Sequence, residues 1–200
     1  MCAFFVLFHN ASPLLFYTTF YSKEQIFDTI TCTASKNTVI LFREGSDKVN
    51  KVLYESPLGT LLIAEENGFL REISFFSGNE KILQNESRLT LETKMQLTEY
   101  FALKRKAFDL PVRLVGTDFS RAVWKELQNI PYSSARTYSQ IASFVGNPSA
   151  SRAVGLACHS NPIAIVIPCH RVIGVNGKLV GYSAGLERKR QLLRLEGIKV

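Results

Sequence analysis

Ile163-Ala-Ile-Val-Ile-Pro-Cys-His-Arg171 is the stretch around which this chain is organised. Its five apolar residues read as a short buried strand, which Pro168 ends because proline has no N–H for a ladder hydrogen bond. Cys169, His170 and Arg171 follow without a spacer, so a thiol, an imidazole and a guanidinium arrive together at the edge of one rigid element. A structural cysteine sits among apolar neighbours and stays protonated. One beside His and Arg sits where a thiolate is stabilised and can act as a nucleophile. Taken alone, Pro-Cys-His-Arg divides evenly between a reactive and a structural role, and its neighbours decide.

Upstream, Thr117 caps a helix whose Phe119, Val123 and Leu127 stack at four-residue intervals, ended by Ile130-Pro131. Thr137-Tyr-Ser-Gln140 is a capping box opening a short helix that stops at Gly146. Another helix runs from about Ser149 to His159, and two short helices joined by a glycine turn predict a helix-turn-helix. In the second helix Ala150, Ser151, Ala153 and Gly155 are small and Arg152 is the one long side chain, so its backbone could approach a duplex closely; a helix packed in a core would look the same. Downstream, Val175-Asn-Gly-Lys178 predicts a hairpin, a β-wing beside the helices. Gly181 to Gly185 reads as a flexible loop and Leu186 to Glu196 as a closing helix.

Charge separates the two halves. Residues 1–116 hold 13 Lys+Arg and 13 Asp+Glu, whereas residues 117–200 hold 11 and 4, so the net +7 resides in the second part. A basic half on a neutral half points to an anionic partner, nucleic acid first, against the plainer alternative of a solvated basic surface. From Lys51 the first half shows strands at Val52–Glu55 and Leu61–Ala64, a tight Asn67-Gly68 turn, and a strand over Phe69–Phe76. Leu91, Met95, Leu97, Tyr100, Phe101 and Leu103 recur at helical spacing before Lys104-Arg105-Lys106, which suits a helix C-terminus; Phe108 to Leu114 reads as a closing strand. This is a small α/β domain with no catalytic constellation. It looks like a scaffold.

With Ser149-Ala-Ser-Arg-Ala-Val-Gly155, Asn161-Pro-Ile163, Pro168-Cys-His-Arg171, Gly181-Tyr-Ser-Ala-Gly185 and Leu192-Leu-Arg-Leu-Glu-Gly197 in order, the chain closely resembles the O6-alkylguanine-DNA alkyltransferases, also called methylated-DNA–protein-cysteine methyltransferases. The resemblance covers Gly116 to Gly197 and more faintly reaches back to about Lys51. It implies an α/β protein: an N-terminal extension over 1–50, a ribonuclease H-like scaffold over 51–115, and a winged helix-turn-helix domain over 116–200 that binds DNA and carries the chemistry.

The resemblance also implies the roles. Cys169 takes the alkyl group from O6-alkylguanine, and from O4-alkylthymine, in a single irreversible turnover without cofactor or metal. His170 takes the thiol proton through a water, Glu196 orients His170, and Tyr138 donates toward the departing base. Arg152 fills the stack vacated by the flipped nucleotide, with Ser151, Ala153 and Tyr138 also at the DNA, in the minor groove. Asn161 ties the helix-turn-helix to the reactive stretch, and Tyr182, Ser183 and Ala184 line the base pocket. The partner is double-stranded DNA with alkylated bases, met by a monomer without membrane attachment, in the cytoplasm or, in a eukaryote, the nucleus. Without the resemblance, Glu196 would read as a solvated partner of Arg194 or Lys199. Ser133, Ser120 and Ala184 depart from the family's usual glycine, glutamine and glycine.

Rival classes would each carry a different set of residues. A non-catalytic lesion-binding alkyltransferase-like protein would lack the cysteine. A cysteine hydrolase would separate nucleophile and histidine in sequence, and a major-groove regulator would carry polar base-reading side chains on its second helix. Cys2, Cys32, Cys158 and Cys169 show no C-x-x-C spacing and suit a reducing compartment; Cys158 reads as a small core residue, and Cys2, His9 and Cys32 match no common zinc spacing. The apolar runs Ala3–Phe8 and Leu14–Tyr21 are too short to span a bilayer and lack the flanks of a signal or transit peptide, so residues 1–50 are expected to pack on the first domain or to form a partly dispensable extension.

Overall fold

The computed structural model describes residues 49–78 and 81–199 in full, and within the first 48 residues only the backbone of five short strands. These are β1 (Phe16–Thr18), β2 (Tyr21–Ser22), β3 (Gln25–Ile26), β4 (Ile30–Ser35) and β5 (Thr38–Leu41). They belong to a separate unit, Met1–Lys48, in which β4 pairs antiparallel with β1 and β5, and β2 with β3. Ala3–Phe8, Cys2 and His9 lie outside the described residues.

The second unit, Val49–Val200, opens with an antiparallel meander of β6 (Val49–Ser56), β7 (Gly59–Glu66) and β8 (Phe69–Phe75). Asn67 and Gly68 turn β7 into β8 with φ of 52° and 77°, the paired positive values that tight hairpin turns need. Helix α1 (Arg88–Phe101) packs on β6 and β7, its start closed by a reciprocal cap between Ser87 and Thr90. The face it buries matches the apolar spacing only in part, through Leu97, Tyr100 and the flanking Phe101. Leu89, Thr93, Leu97 and Tyr100 point inward, while Leu91 and Met95 are half exposed and Leu103 lies beyond the helix at φ 61°. Buried polar groups on that face are satisfied locally: Thr93 donates to the Leu89 carbonyl, and Gln96 exchanges two hydrogen bonds with the Asp109 backbone. Lys104-Arg105-Lys106 also falls outside the last turn, and Arg105 turns back to pair with Glu99 at 2.6 Å.

Two further expectations are corrected at the outer edge of β8. Phe108–Leu114 makes a single bridge, Val112 to Leu70, since Pro111 cannot donate and the ladder stops. The reactive stretch joins the same edge through Ile163, with Ile73 N donating to Pro162 O and Ala164 N to Ile73 O, but it is not a strand. Bracketed by two prolines, it folds back on itself: Ile167 N reaches Ile163 O at 3.0 Å and Ile165 takes φ 71°. A β-branched residue at positive φ costs roughly 1–3 kcal/mol. Full burial of Ile163, Ile165 and Ile167 offsets that strain. Cys169–Arg171 then form one turn of 3-10 helix, not an extended end.

The helical half contains α2 (Asp118–Gln128), α3 (Tyr138–Phe144), α4 (Ser151–His159) and α5 (Leu186–Leu195), with β9 (Arg136–Thr137) parallel to β10 (Val172–Ile173). Thr117 and Thr137 cap α2 and α3 as their sequences require, and Gly146 at φ 81° closes α3. Trp124 on α2 fastens α4 by donating to Ala157 O at 2.7 Å. Gly116 lies so close to that indole that a Cβ would come within 2.7 Å of it. The expected β-wing is not a two-stranded hairpin. Val175–Gly177 form a short 3-10 turn with Asn176 at φ 60°, closed by Gly174 N donating to Lys178 O, and β10 pairs with β9 instead. Among the described residues no helix is long and apolar enough to cross a membrane.

Candidate active site

Four elements meet at Cys169. It floors a pocket of about 410 Å³ whose walls include Tyr138 from α3, Arg152, Gly155 and Cys158 from α4, and Tyr182 from the loop before α5. That volume lies within the usual range for a small-molecule site. Cys169 is 3% exposed, while Arg152 stands exposed at the pocket wall. Asn161, just past α4, donates from Nδ2 to the thiol at 3.1 Å and to Ile167 O at 2.8 Å, and its Oδ1 accepts from Ile163 N. One amide thereby joins the end of the second helix to the folded-back loop.

Behind the thiol lies a second layer. His170 is fully buried, and its Nε2 is 2.9 Å from Glu196 Oε1. Glu196 also takes a two-pronged contact from Arg171, Nε to Oε2 at 2.8 Å and Nη2 to Oε1 at 2.9 Å, with Arg171 Nη1 donating to Ile130 O. Burial raises the Glu196 carboxyl, but hydrogen bonds from His170 and Arg171 outweigh it and hold its pKa at about 2. An ionised carboxylate only accepts, so His170 Nε2 carries the hydrogen and Nδ1 keeps its lone pair. Nδ1 has no hydrogen-bond partner among the described residues, and burial lowers the imidazole's pKa, keeping it neutral. The Cys169 thiol is raised by burial, which Asn161 and Lys189 oppose.

Lys189 was not legible as a site residue. Its side chain is fully buried and donates to the carbonyls of Val180 and Gly181, at 2.9 and 3.2 Å, and to Tyr138 Oη at 3.4 Å. Burial lowers its pKa to about 8, and it has no carboxylate partner among the described residues. It is the cation facing both pocket thiols. Cys158, which read as plain core, lines the pocket too, burial and the Cys169 charge pushing its thiol up to about 12.

The remaining expected residues divide. Tyr138 lines the pocket with its hydroxyl donating to Val180 O at 2.9 Å; burial raises its pKa. Ser151 and Tyr182 line it as well. Ser183 instead faces a neighbouring cleft together with Asn161, and Ala153 and Ala184 line neither; the Ala184 carbonyl accepts from Arg188. Ser133, the departure after Pro131-Tyr132, takes φ 60°, the conformation a glycine would supply, and its hydroxyl donates to the Glu196 carbonyl.

A buried thiol lies at the foot of two short helices joined by a tight turn, backed by a histidine–glutamate pair, the arrangement of a helix-turn-helix protein with a cysteine at its candidate site. Residues 49–114 match the family model for the 6-O-methylguanine DNA methyltransferase, ribonuclease-like domain, and residues 118–198 that for its DNA binding domain. The methylated-DNA–protein-cysteine methyltransferase of Methanosarcina acetivorans is 48% identical over 72% of this chain and 96% of its own length. The constitutive enzyme of that name from Bacillus subtilis is 44% identical over 72% of this chain and 93% of its own. The crystal structure of Mycobacterium tuberculosis O6-methylguanine methyltransferase superposes with a TM-score of 0.69 at 42% identity, covering 74% of this chain and 93% of that one; the same protein has been solved with DNA. The chain belongs to the 6-O-methylguanine DNA methyltransferase family.

Proposed function

We propose that this chain repairs DNA by direct reversal, moving the alkyl group of O6-alkylguanine, and of O4-alkylthymine, to Cys169 Sγ once per molecule. The observation that carries the reading is Cys169 on the pocket floor below α4, with the bare Nδ1 of His170 behind it. His170 Nδ1 accepts the thiol proton through a bridging water, and the resulting imidazolium is held by Glu196. Lys189 and Asn161 favour the thiolate. As the new C–S bond forms, the C–O bond breaks and its electron pair passes to guanine, whose developing anion Tyr138 stabilises by donating a hydrogen bond before water protonates the free base. The thioether has no hydrolytic exit, so the protein is consumed, and no cofactor takes part. The target atom is hidden inside a duplex, so the nucleotide must flip, at about a few kcal/mol of lost stacking and pairing. Arg152, exposed beside the pocket, fills the gap. The protein acts as a monomer on double-stranded DNA in a reducing compartment.

Incubation with a duplex carrying O6-methylguanine should add one methyl mass to the peptide containing Cys169, with a plateau at one equivalent. Turnover beyond one equivalent would exclude the mechanism. Arg152→Ala should slow reaction with the duplex lesion about 10- to 100-fold, equivalent to a few kcal/mol of flipping energy, and leave the reaction with free O6-benzylguanine nearly unchanged. Equal losses on both substrates would assign Arg152 a structural role.

A further inference from the structure

We infer that Tyr100, in the sheet-and-helix half, is a positioning residue for the His170–Glu196 pair; the inference rests on the alkyl-transfer reading of that pair. Tyr100 lies near the end of α1, fully buried, and its hydroxyl donates to Glu196 Oε1 at 2.8 Å. The same oxygen accepts from His170 Nε2 and from Arg171 Nη2, both at 2.9 Å, so the phenol and the imidazole share one acceptor atom. Among the described residues, the other donors to this carboxylate all come from the reactive turn itself. The phenol is rigidly placed, its ring lying 5.4 Å from those of Phe101 and Phe108 and 6.4 Å from that of Tyr132, centroid to centroid. The half of the molecule that read as scaffold thus places a hydroxyl on the catalytic relay.

A neutral donor on Oε1 spreads the carboxylate charge and makes it a weaker partner for a histidine proton. Tyr100 therefore helps to keep His170 neutral and able to accept the thiol proton, while Glu196 still fixes the tautomer. The other titratable groups around the pair are Arg171 and Cys169 from the turn, Tyr132 from the loop after α2, and Lys189 from α5. Burial, Arg171 and Lys189 disfavour the imidazolium whether or not Tyr100 is present. Removing only the phenol oxygen leaves Glu196 a stronger anion, so the histidine becomes more basic. The pH below which transfer fails then rises.

The test compares wild type, Tyr100→Phe and Tyr54→Phe in the full chain. Phenylalanine keeps the ring packing. Tyr54→Phe removes a different hydroxyl contact to the same helix, to Thr98. Methyl transfer from an O6-methylguanine duplex is followed against pH, and the His170 imidazole is titrated by 15N NMR. In Tyr100→Phe both the acid limb and the imidazole titration should move upward by about half a unit to one unit, with transfer below that limb slowed about three- to tenfold and rates converging at higher pH. Tyr54→Phe should shift neither. An unmoved acid limb and titration in Tyr100→Phe, even with a lowered Tm, would overturn the inference and leave the hydroxyl a structural contact. Absence of transfer in wild type would overturn the function instead, and the NMR titration would still report on Tyr100.

Discussion

Cys169→Ala should abolish alkyl transfer, with a loss of more than about 10⁴-fold, and retain duplex binding near the wild-type level. Alanine removes the sulfur that forms the new bond, and no neighbouring group replaces it. Cys158 lines the same pocket, but its own burial still raises its thiol, so its thiolate is scarce at neutral pH. The fold should tolerate the change. Asn161 Nδ2 keeps its 2.8 Å bond to Ile167 O and loses only its weak N–H contact to sulfur. Duplex binding survives because α4 and Arg152 are untouched. Intact-protein mass after incubation with lesion DNA reads the first outcome and a fluorescence anisotropy titration the second. A methyl mass persisting in the alanine variant would place the acceptor elsewhere.

Glu196→Ala should be the most destabilising single change at the site. Glu196 is 1% exposed and Arg171 6% exposed, so truncation leaves a buried guanidinium without its carboxylate and strips His170 Nε2 of its acceptor. Breaking such a buried pair from one side costs about 3–5 kcal/mol, or roughly 6–20 °C in Tm for a unit of this size. The gentler Glu196→Gln preserves shape but no longer dictates which imidazole nitrogen carries the proton, and transfer should slow by roughly 10²- to 10⁴-fold. The pH dependence has a definite sign. The carboxyl is held at about 2 in the fold against 4.5 ordinarily, so its stabilisation is fully present above 4.5 and is lost as pH falls toward 2. Wild type should therefore lose stability across that window, and Glu196→Gln should show a flatter profile there. Calorimetry between pH 2 and 5 distinguishes the two. Parallel profiles would mean that Glu196 does not carry the acid sensitivity.

Features that depend only on near neighbours in the chain could be read from residue types. The Thr117 and Thr137 caps, the Asn67-Gly68 turn and the glycine closing α3 are decided by a handful of local torsions and hydrogen bonds, so their residue types suffice. The adjacency of Cys169 and His170 is likewise covalent; it singled out Cys169 as a candidate only together with the motifs around it. Features that depend on competition for distant partners emerged only from the packed fold. Ile163–Ile167 has the composition of a strand, yet between Pro162 and Pro168 it finds one ladder position on β8 and folds back. β10 pairs with β9, and no hairpin forms at Asn176-Gly177. Helix α1 buries Thr93 and Gln96 while Met95 faces out, since backbone acceptors and donors happen to lie where those polar groups can use them. At the site, His170 meets Glu196 across 26 residues and Tyr100 meets it across 96. No periodicity encodes contacts at such separations. A buried carboxylate collects whichever donors the packed fold brings within reach, because leaving its charge unpaired costs more than ordering the groups that satisfy it.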